Sequence, residues 1–167
     1  MNSVKTYDRS RRGTQLVTFR LGAESFGLPV ASVREILRPI DLFCVPGMGA
    51  DVEGVINLRG EIIPVVKLGS LLGVVSNAGE QQPTKKRRIV ILDVRGTSLG
   101  FFVDEVFEVS RVQAQEIQAA PDFARGAARA AQVVTGLVKI AGRMVVCVNP
   151  DKLVLDDLMA KEPAVGA

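Results

Sequence analysis

Gly54-Val55-Ile56-Asn57-Leu58-Arg59-Gly60-Glu61-Ile62-Ile63-Pro64-Val65-Val66 is two short apolar runs separated by Arg59-Gly60. A two-residue connection with glycine second is a good hairpin turn, since such turns need positive φ at both central positions. The stretch therefore predicts two paired strands, Gly54 to Leu58 and Glu61 to Val66. Pro64 has no N–H to give to a ladder, which predicts an edge strand or a bulge there. The same pattern returns at an offset of 82 residues, as Gly136-Leu137-Val138-Lys139-Ile140-Ala141-Gly142-Arg143-Met144-Val145-Val146-Cys147-Val148. Leu71-Leu72 then falls on Leu153-Val154.

Moving outward, a second match runs at an offset of 73 residues. Leu16-Val17-Thr18-Phe19-Arg20-Leu21 matches Ile89-Val90-Ile91-Leu92-Asp93-Val94, and Ser25-Phe26-Gly27-Leu28-Pro29-Val30 matches Ser98-Leu99-Gly100-Phe101-Phe102-Val103. Val33, Glu35 and Ile36 match Val106, Glu108 and Val109. The chain is thus an internal duplication, with units at about 16–72 and 89–154. The linker 74–88 carries Ser, Asn, Gly and Pro and a basic run, which is loop chemistry. The second unit is longer between its two matches, in the alanine-rich segment Ala119 to Ala131.

Each unit holds several short strands, starting with a hairpin formed by 16–21 and 26–30. That spacing predicts an all-β fold with short helices, one small antiparallel barrel in each half. Ile62-Ile63, Val65-Val66 and Met144 to Val148 are apolar on both faces, so these strands are expected to be covered outside by the other barrel. Val30, Val33 and Leu37 lie at helical spacing before Pro39, predicting a short helix. Lys67 to Leu72 predicts about one helical turn. A C-terminal helix is predicted over Pro150 to Met159, with Asn149 as cap and Pro150 in first position.

Composition narrows the function. The chain has 167 residues, is 47% apolar and 23% charged, and contains no histidine. Serine and cysteine hydrolase triads and two-histidine zinc motifs are therefore excluded. Cys44 and Cys147 form no CxxC pair and sit in apolar runs, which predicts two buried free thiols in a reducing compartment. Asp104 and Glu105, as strand neighbours, should face opposite ways and share no acid–base work. Gly47-Met48-Gly49 lacks the Lys-Ser/Thr of a phosphate loop. No catalytic residue, metal ligand or cofactor site emerges. The N-terminus has no apolar core of a secretory signal, and no stretch is long and apolar enough for a membrane helix.

The net charge is +3. Lys5, Arg9, Arg11 and Arg12 against Asp8, together with Lys85-Lys86-Arg87-Arg88, exceed that total, so the remaining body is acidic. A nucleic-acid module is expected to carry its charge on the folded face, with stacking aromatics. Here the basic runs read as a tail (1–14) and a solvated linker that could steer an acidic partner. A small-barrel nucleic-acid module remains the remoter alternative.

Positions that differ between copies are freer to serve a function than positions that agree. The sharpest difference is at the hairpin tips, Arg59 against Ala141. Arg59 is either an unpartnered turn residue or an interface residue, since the guanidinium fork binds carboxylates and carbonyls well.

The Gly54 to Val66 stretch resembles the signature of the CheW family of bacterial chemotaxis coupling proteins. So do Phe26-Gly27-Leu28-Pro29-Val30 followed by Val33-Arg34-Glu35-Ile36, then Ala120-Pro121-Asp122-Phe123, and Thr135-Gly136-Leu137 with Arg143-Met144 and Asn149. The resemblance spans about residues 15–158, leaving 159–167 as a flexible C-terminus. It implies two intertwined SH3-like five-stranded barrels. It also implies a cytoplasmic, non-enzymatic adaptor without cofactor, nucleic acid or membrane insertion, working at membrane-associated receptor arrays. The implied partners are the cytoplasmic tip of methyl-accepting chemotaxis receptors and the regulatory domain of the CheA-type histidine kinase.

By the same resemblance the receptor surface would comprise Val30, Val33, Glu35, Gly54, Asn57, Leu58 and Arg59. Val30 and Val33 would offer an apolar groove. Glu35 would orient Arg59 or meet a basic receptor residue, and Gly54 would let the receptor backbone approach. No kinase-contact residue is assigned. Lys67 stands where the family usually has Asp, so the following turn lacks a side-chain cap. That departure and the basic linker also fit a coupling protein of a non-flagellar pathway, such as one for pili or development. The same fold occurs within the kinase and larger scaffolds; the chain length fits the stand-alone adaptor.

Overall fold

The computed structural model describes residues 13–74, 85–119 and 132–153. The strands in order are β1 (Thr14–Leu21), β2 (Glu24–Pro29), β3 (Val33–Leu37), β4 (Val52–Leu58), β5 (Glu61–Val66), β6 (Arg88–Val94), β7 (Thr97–Val103), β8 (Glu105–Val112), β9 (Val134–Ile140) and β10 (Arg143–Val148). A five-residue helix, α1 (Leu68–Leu72), follows β5, and 3₁₀ turns occupy Val30–Ser32, Ala114–Glu116 and Pro150–Lys152. The duplication is visible element by element. β1-β2-β3 return as β6-β7-β8, and β4-β5-α1 return as β9, β10 and the last 3₁₀ turn.

The copies intertwine, as the resemblance implies, and do not fold side by side with one barrel in each half, as strand spacing alone predicts. One sheet is ordered β8-β1-β2-β10-β9 and the other β3-β6-β7-β5-β4. Each therefore takes its first hairpin from one copy and three strands from the other. Nor are the sheets wholly antiparallel: β2 runs parallel to β10, and β5 parallel to β7, at the seams where the copies cross. Local alternation sets which face of a strand is apolar but carries no information on which distant edge it joins. Single bridges, Phe43 to Val55 and Gln118 to Leu137, join the connection after one edge strand to the opposite edge strand, and so close each sheet into a barrel.

Three apolar cores result. Ile56, Leu58, Ile63, Val65, Ile89 and Ile91 fill the barrel that contains β3–β5. Leu16, Val112, Val138, Ile140, Val145 and Cys147 fill the barrel that contains β8–β10. The largest core lies between the barrels, where Phe19, Phe26 and Leu28 meet Val90, Leu92 and Phe101. Phe19 packs on Phe101 at 5.6 Å between ring centroids. Burying each such side chain contributes roughly 1.5–3 kcal/mol, which ties the barrels together. The expected outer cover thus exists for Val66 and Val148 but not for Ile62 and Met144, which are 60% and 58% exposed.

Other expectations need correction. Val30 to Leu37 is not a helix. After a single 3₁₀ turn, closed by the Ser32 hydroxyl donating to Pro29 O at 2.7 Å, Val33–Leu37 pairs with β6 as an edge strand. The β6 ladder outweighs a helical spacing that only three side chains supported. Pro64 lies inside the sheet, because β5 sits between β7 and β4. On the β4 side no bond is lost, because Val55 turns both its N–H and its C=O to Phe43 (2.8 Å each), and on the β7 side the pairing of β5 covers only Val65 and Val66. Pro64 therefore belongs to a pair that needs no hydrogen bond. Cys44 is exposed and only Cys147 is buried. The segment that carries Cys44 runs over the surface, with Phe43 57% exposed beside it.

Helix α1 begins after Lys67, which makes no side-chain cap. Instead the Lys67 N–H donates to Asp51 O at 2.8 Å, and Leu68, Leu71 and Leu72 are buried. The Asn149 carboxamide accepts from the Asp151 N–H at 3.0 Å, as the cap expectation required, over the 3₁₀ turn Pro150–Lys152. The remainder of the predicted C-terminal helix lies outside the described residues. So do most of the N-terminal tail, the linker residues 75–84, the Ala120-Pro121-Asp122-Phe123 stretch and the C-terminus beyond 153.

Candidate functional site: the β4–β5 turn and its ion pairs

Arg59 and Gly60 take φ of 51° and 84°, the two left-handed positions of a type I′ turn. Glycine meets this demand freely, whereas Arg59 bears a strained backbone. The Asn57 side chain supports the turn by accepting from the Gly60 N–H at 2.9 Å. The equivalent turn of the second barrel has nearly the same backbone, Ala141 at 50° and Gly142 at 80°.

Glu35 reaches this turn from β3. Arg59 Nη1 donates to Glu35 Oε2 at 2.9 Å, and Nη2 donates to Oε1, making a two-pronged pair. The pairing of β3 with β6 shifts register between Val33 and Glu35. Such a bulge re-aims consecutive side chains. Arg34 and Glu35 therefore both face the hairpin. Arg34 Nη1 lies 2.8 Å from Glu61 Oε2 and donates to Ser98 Oγ at 2.8 Å. Two ion pairs, crossed in sign, strap the turn to β3. Sequence reasoning missed the second, Arg34 with Glu61, although both residues stand within the motifs quoted for the resemblance.

The hydrogen bond from Arg59 is the main cause that holds the Glu35 carboxyl below the usual glutamate value, and the same bond raises the Arg59 guanidinium further. The Glu35 side chain is 24% exposed, while that of Arg59 is 67% exposed. A guanidinium has five N–H donors. Glu35 engages one edge, and the remaining donors face solvent in a fixed orientation. The turn presents a steered, pre-ordered cation.

The other sequence-derived candidates divide. Val30 and Val33 are half-buried, and Val33 packs against the core between the barrels. Leu58 is 8% exposed and belongs to a barrel core, so it offers no surface. Gly54 is buried, and the backbone that approaches it is the protein's own. A Cβ there would lie 2.5 Å from Phe43 O. Gly136 faces Gln118 O in the same way, at 2.6 Å. The bridge that closes each barrel requires glycine at both places.

Asp104 and Glu105 both face Arg20, at 3.7 and 3.9 Å, and Asp104 also accepts from the Gly22 N–H at 2.6 Å. The expected opposite orientation fails because Asp104 precedes β8. Their work is to hold the β1–β2 turn. Lys86 and Arg95 face Glu105 and Asp151. Among the described residues no group of His, Cys, Asp and Glu is arranged to hold a metal, and no helix is long and apolar enough to cross a membrane.

Comparison with known proteins agrees with this architecture. The CheW-like domain model matches residues 15–157. The chemotaxis protein CheW of Rhizobium meliloti (strain 1021) is 33% identical over 141 residues, covering 84% of this chain and 87% of the relative. That of Thermotoga maritima is 29% identical over 159 residues, covering 95% and 99%. The crystal structure of the scaffolding protein TtCheW from Thermoanaerobacter tengcongensis superposes with a TM-score of 0.73 at 28% identity, covering 86% of this chain and 88% of that one. The two exchanged barrels, the duplicated hairpins and these matches lead to one statement: the chain belongs to the CheW-like family.

Proposed function

We propose that this protein is a non-enzymatic adaptor that couples the cytoplasmic tips of chemoreceptors to a CheA-type histidine kinase. Membership of the CheW-like family over nearly the whole chain carries this reading. The names of its relatives, a chemotaxis protein and a scaffolding protein, support the same reading. The receptor-facing surface in this proposal is the β4–β5 turn with Asn57 and Arg59, oriented by Glu35 and flanked by Val30 and Val33. Leu58 and Gly54 support it from below without contacting the partner. A helical receptor tip carries backbone carbonyls and side-chain acceptors at its bend, which suits a fixed guanidinium. The folded surface supports a protein partner over nucleic acid, since Arg20, Arg34, Arg59, Lys86 and Arg95 are each set against carboxylates.

The test is reconstitution of a receptor cytoplasmic fragment, the kinase and this protein, reading co-sedimentation and kinase activity. The adaptor reading expects the protein to sediment with the receptor and to raise kinase activity in its presence. Kinase activity that is the same with and without the protein would refute it.

A further inference from the structure

The duplication allows one barrel to be read against the other at a second place. In the barrel of β3–β5, Arg34 on β3, Glu61 on β5 and Ser98 on β7 form a closed cluster, with the guanidinium 2.8 Å from both the carboxylate and the hydroxyl. At the repeat offsets the equivalent residues in the other barrel are Phe107 on β8, Arg143 on β10 and Ser25 on β2. The carboxylate has become a guanidinium, and its former partner has become a ring. The Arg143 guanidinium lies over Phe107 at 3.7 Å from the ring centroid. Its Nε is buried without a hydrogen-bond partner, and among the described residues it faces no carboxylate. These residues line an open pocket of about 480 Å³ with Glu24, Met144 and Val146.

We infer that this pocket is a second docking site, which takes a carboxylate borne beside an aliphatic side chain, as a glutamate or aspartate next to a leucine on a partner protein. Stacking uses the face of the guanidinium and leaves its edge, with the in-plane N–H groups, turned to an acceptor. A carboxylate matches that edge two-pronged. Met144, 58% exposed, supplies adaptable apolar surface for the flanking aliphatic group. The first barrel supplies its own carboxylate through Glu61; the second leaves that place for the partner. The site lies on the barrel opposite to Arg59, so both can be occupied at once, and the inference does not depend on the adaptor reading.

The probe is a blocked pentapeptide with one glutamate between two leucines, compared with its glutamine counterpart by NMR titration of the full chain. The glutamate peptide is expected to shift the Arg143 Nε–H and the Phe107 and Met144 signals saturably, with the glutamine peptide roughly tenfold weaker or more. Arg143→Gln should remove that difference, and Arg34→Gln, which opens only the first barrel's pair, should retain it. Both variants alter side chains at the surface, and unchanged backbone spectra elsewhere verify that they fold. Equal binding of the two peptides, binding that survives Arg143→Gln, or no saturable shift at Arg143 would overturn the inference.

Discussion

The turns Arg59-Gly60 and Ala141-Gly142 are built on nearly the same backbone, in barrels of the same design, and only one carries a guanidinium. The barrel that contains β3–β5 sets Glu35 against Arg59; the corresponding residues of the other barrel are Glu108 and Ala141, which form no ion pair with each other. The contrast separates what the fold needs from what it leaves free. Glycine in second position, the apolar flanks and the bridge-facing Gly54 and Gly136 are shared and structural. The charge at the tip is unshared and is held in position by an acid from another strand, whereas the left-handed backbone that bears it is common to both tips. An ordered and solvent-facing cation is what an interface uses and what stability does not require.

The shared parts can be broken first. The two thiols report on exposure across the molecule. Cys44 is exposed, whereas Cys147 is buried, with its thiol pushed up to about 11 by burial. Under native conditions a maleimide should label Cys44 roughly a thousandfold faster than Cys147, whose labelling waits for unfolding. Comparable rates would mean that the second barrel opens readily on its own. Removing the common core should be nearly as drastic. Phe101→Ala is expected to destabilise by about 3–5 kcal/mol in denaturant titration. Because the copies exchange hairpins, both barrels should unfold in one transition, and two separated transitions would contradict the exchange.

Smaller changes then sharpen the comparison. Gly54→Ala and Gly136→Ala each place a methyl group against a backbone carbonyl, at 2.5 and 2.6 Å. Each is expected to cost roughly 1–3 kcal/mol by thermal unfolding, and to similar extents, because the role is the same in both copies. A large inequality would show that one barrel closes differently. The smallest stability effect belongs to the ion pair. Glu35→Gln should leave the unfolding midpoint nearly unchanged, since the pair is solvent-exposed, while weakening receptor binding by loosening Arg59. The pH dependence has a definite sign. A carboxyl whose folded-state pKa lies below its ordinary 4.5 keeps its pair above that value and loses it as pH falls through the lowered one. Receptor binding should therefore be independent of pH near neutrality, where Glu35 stays ionised, and decline only below pH 4.5, and this decline should be absent in the weaker-binding Glu35→Gln.

The sequence displayed the repeating parts of the fold and hid the joints. Offsets of 73 and 82 residues located the strands because strand alternation and turn glycines are local signals. The exchange of β1–β2 against β6–β7 is a matter of distant pairing, and nothing in Leu16 to Leu21 records which edge it will join. Val30, Val33 and Leu37 misled because three residues satisfy a helical period by chance, whereas the β6 ladder that decides their conformation lies over fifty residues away. The family resemblance places Leu58 and Gly54 on the receptor surface, yet alternation sends Leu58 into the barrel and Phe43 covers Gly54. Arg59 itself was legible through its contrast with Ala141. Its partner Glu35 came through the family resemblance, and Arg34 with Glu61 emerged only once the β3 bulge was seen.

The central claim is that the charged turn of the first barrel, and not its twin in the second, meets the receptor. Binding of a receptor cytoplasmic fragment should be measured side by side for the parent, Arg59→Glu and Ala141→Glu, with unfolding midpoints as a check on folding. Arg59→Glu is expected to weaken binding by roughly thirtyfold or more, and Ala141→Glu to bind like the parent. Parent-like binding by Arg59→Glu, or equal losses in the two variants, would contradict the account.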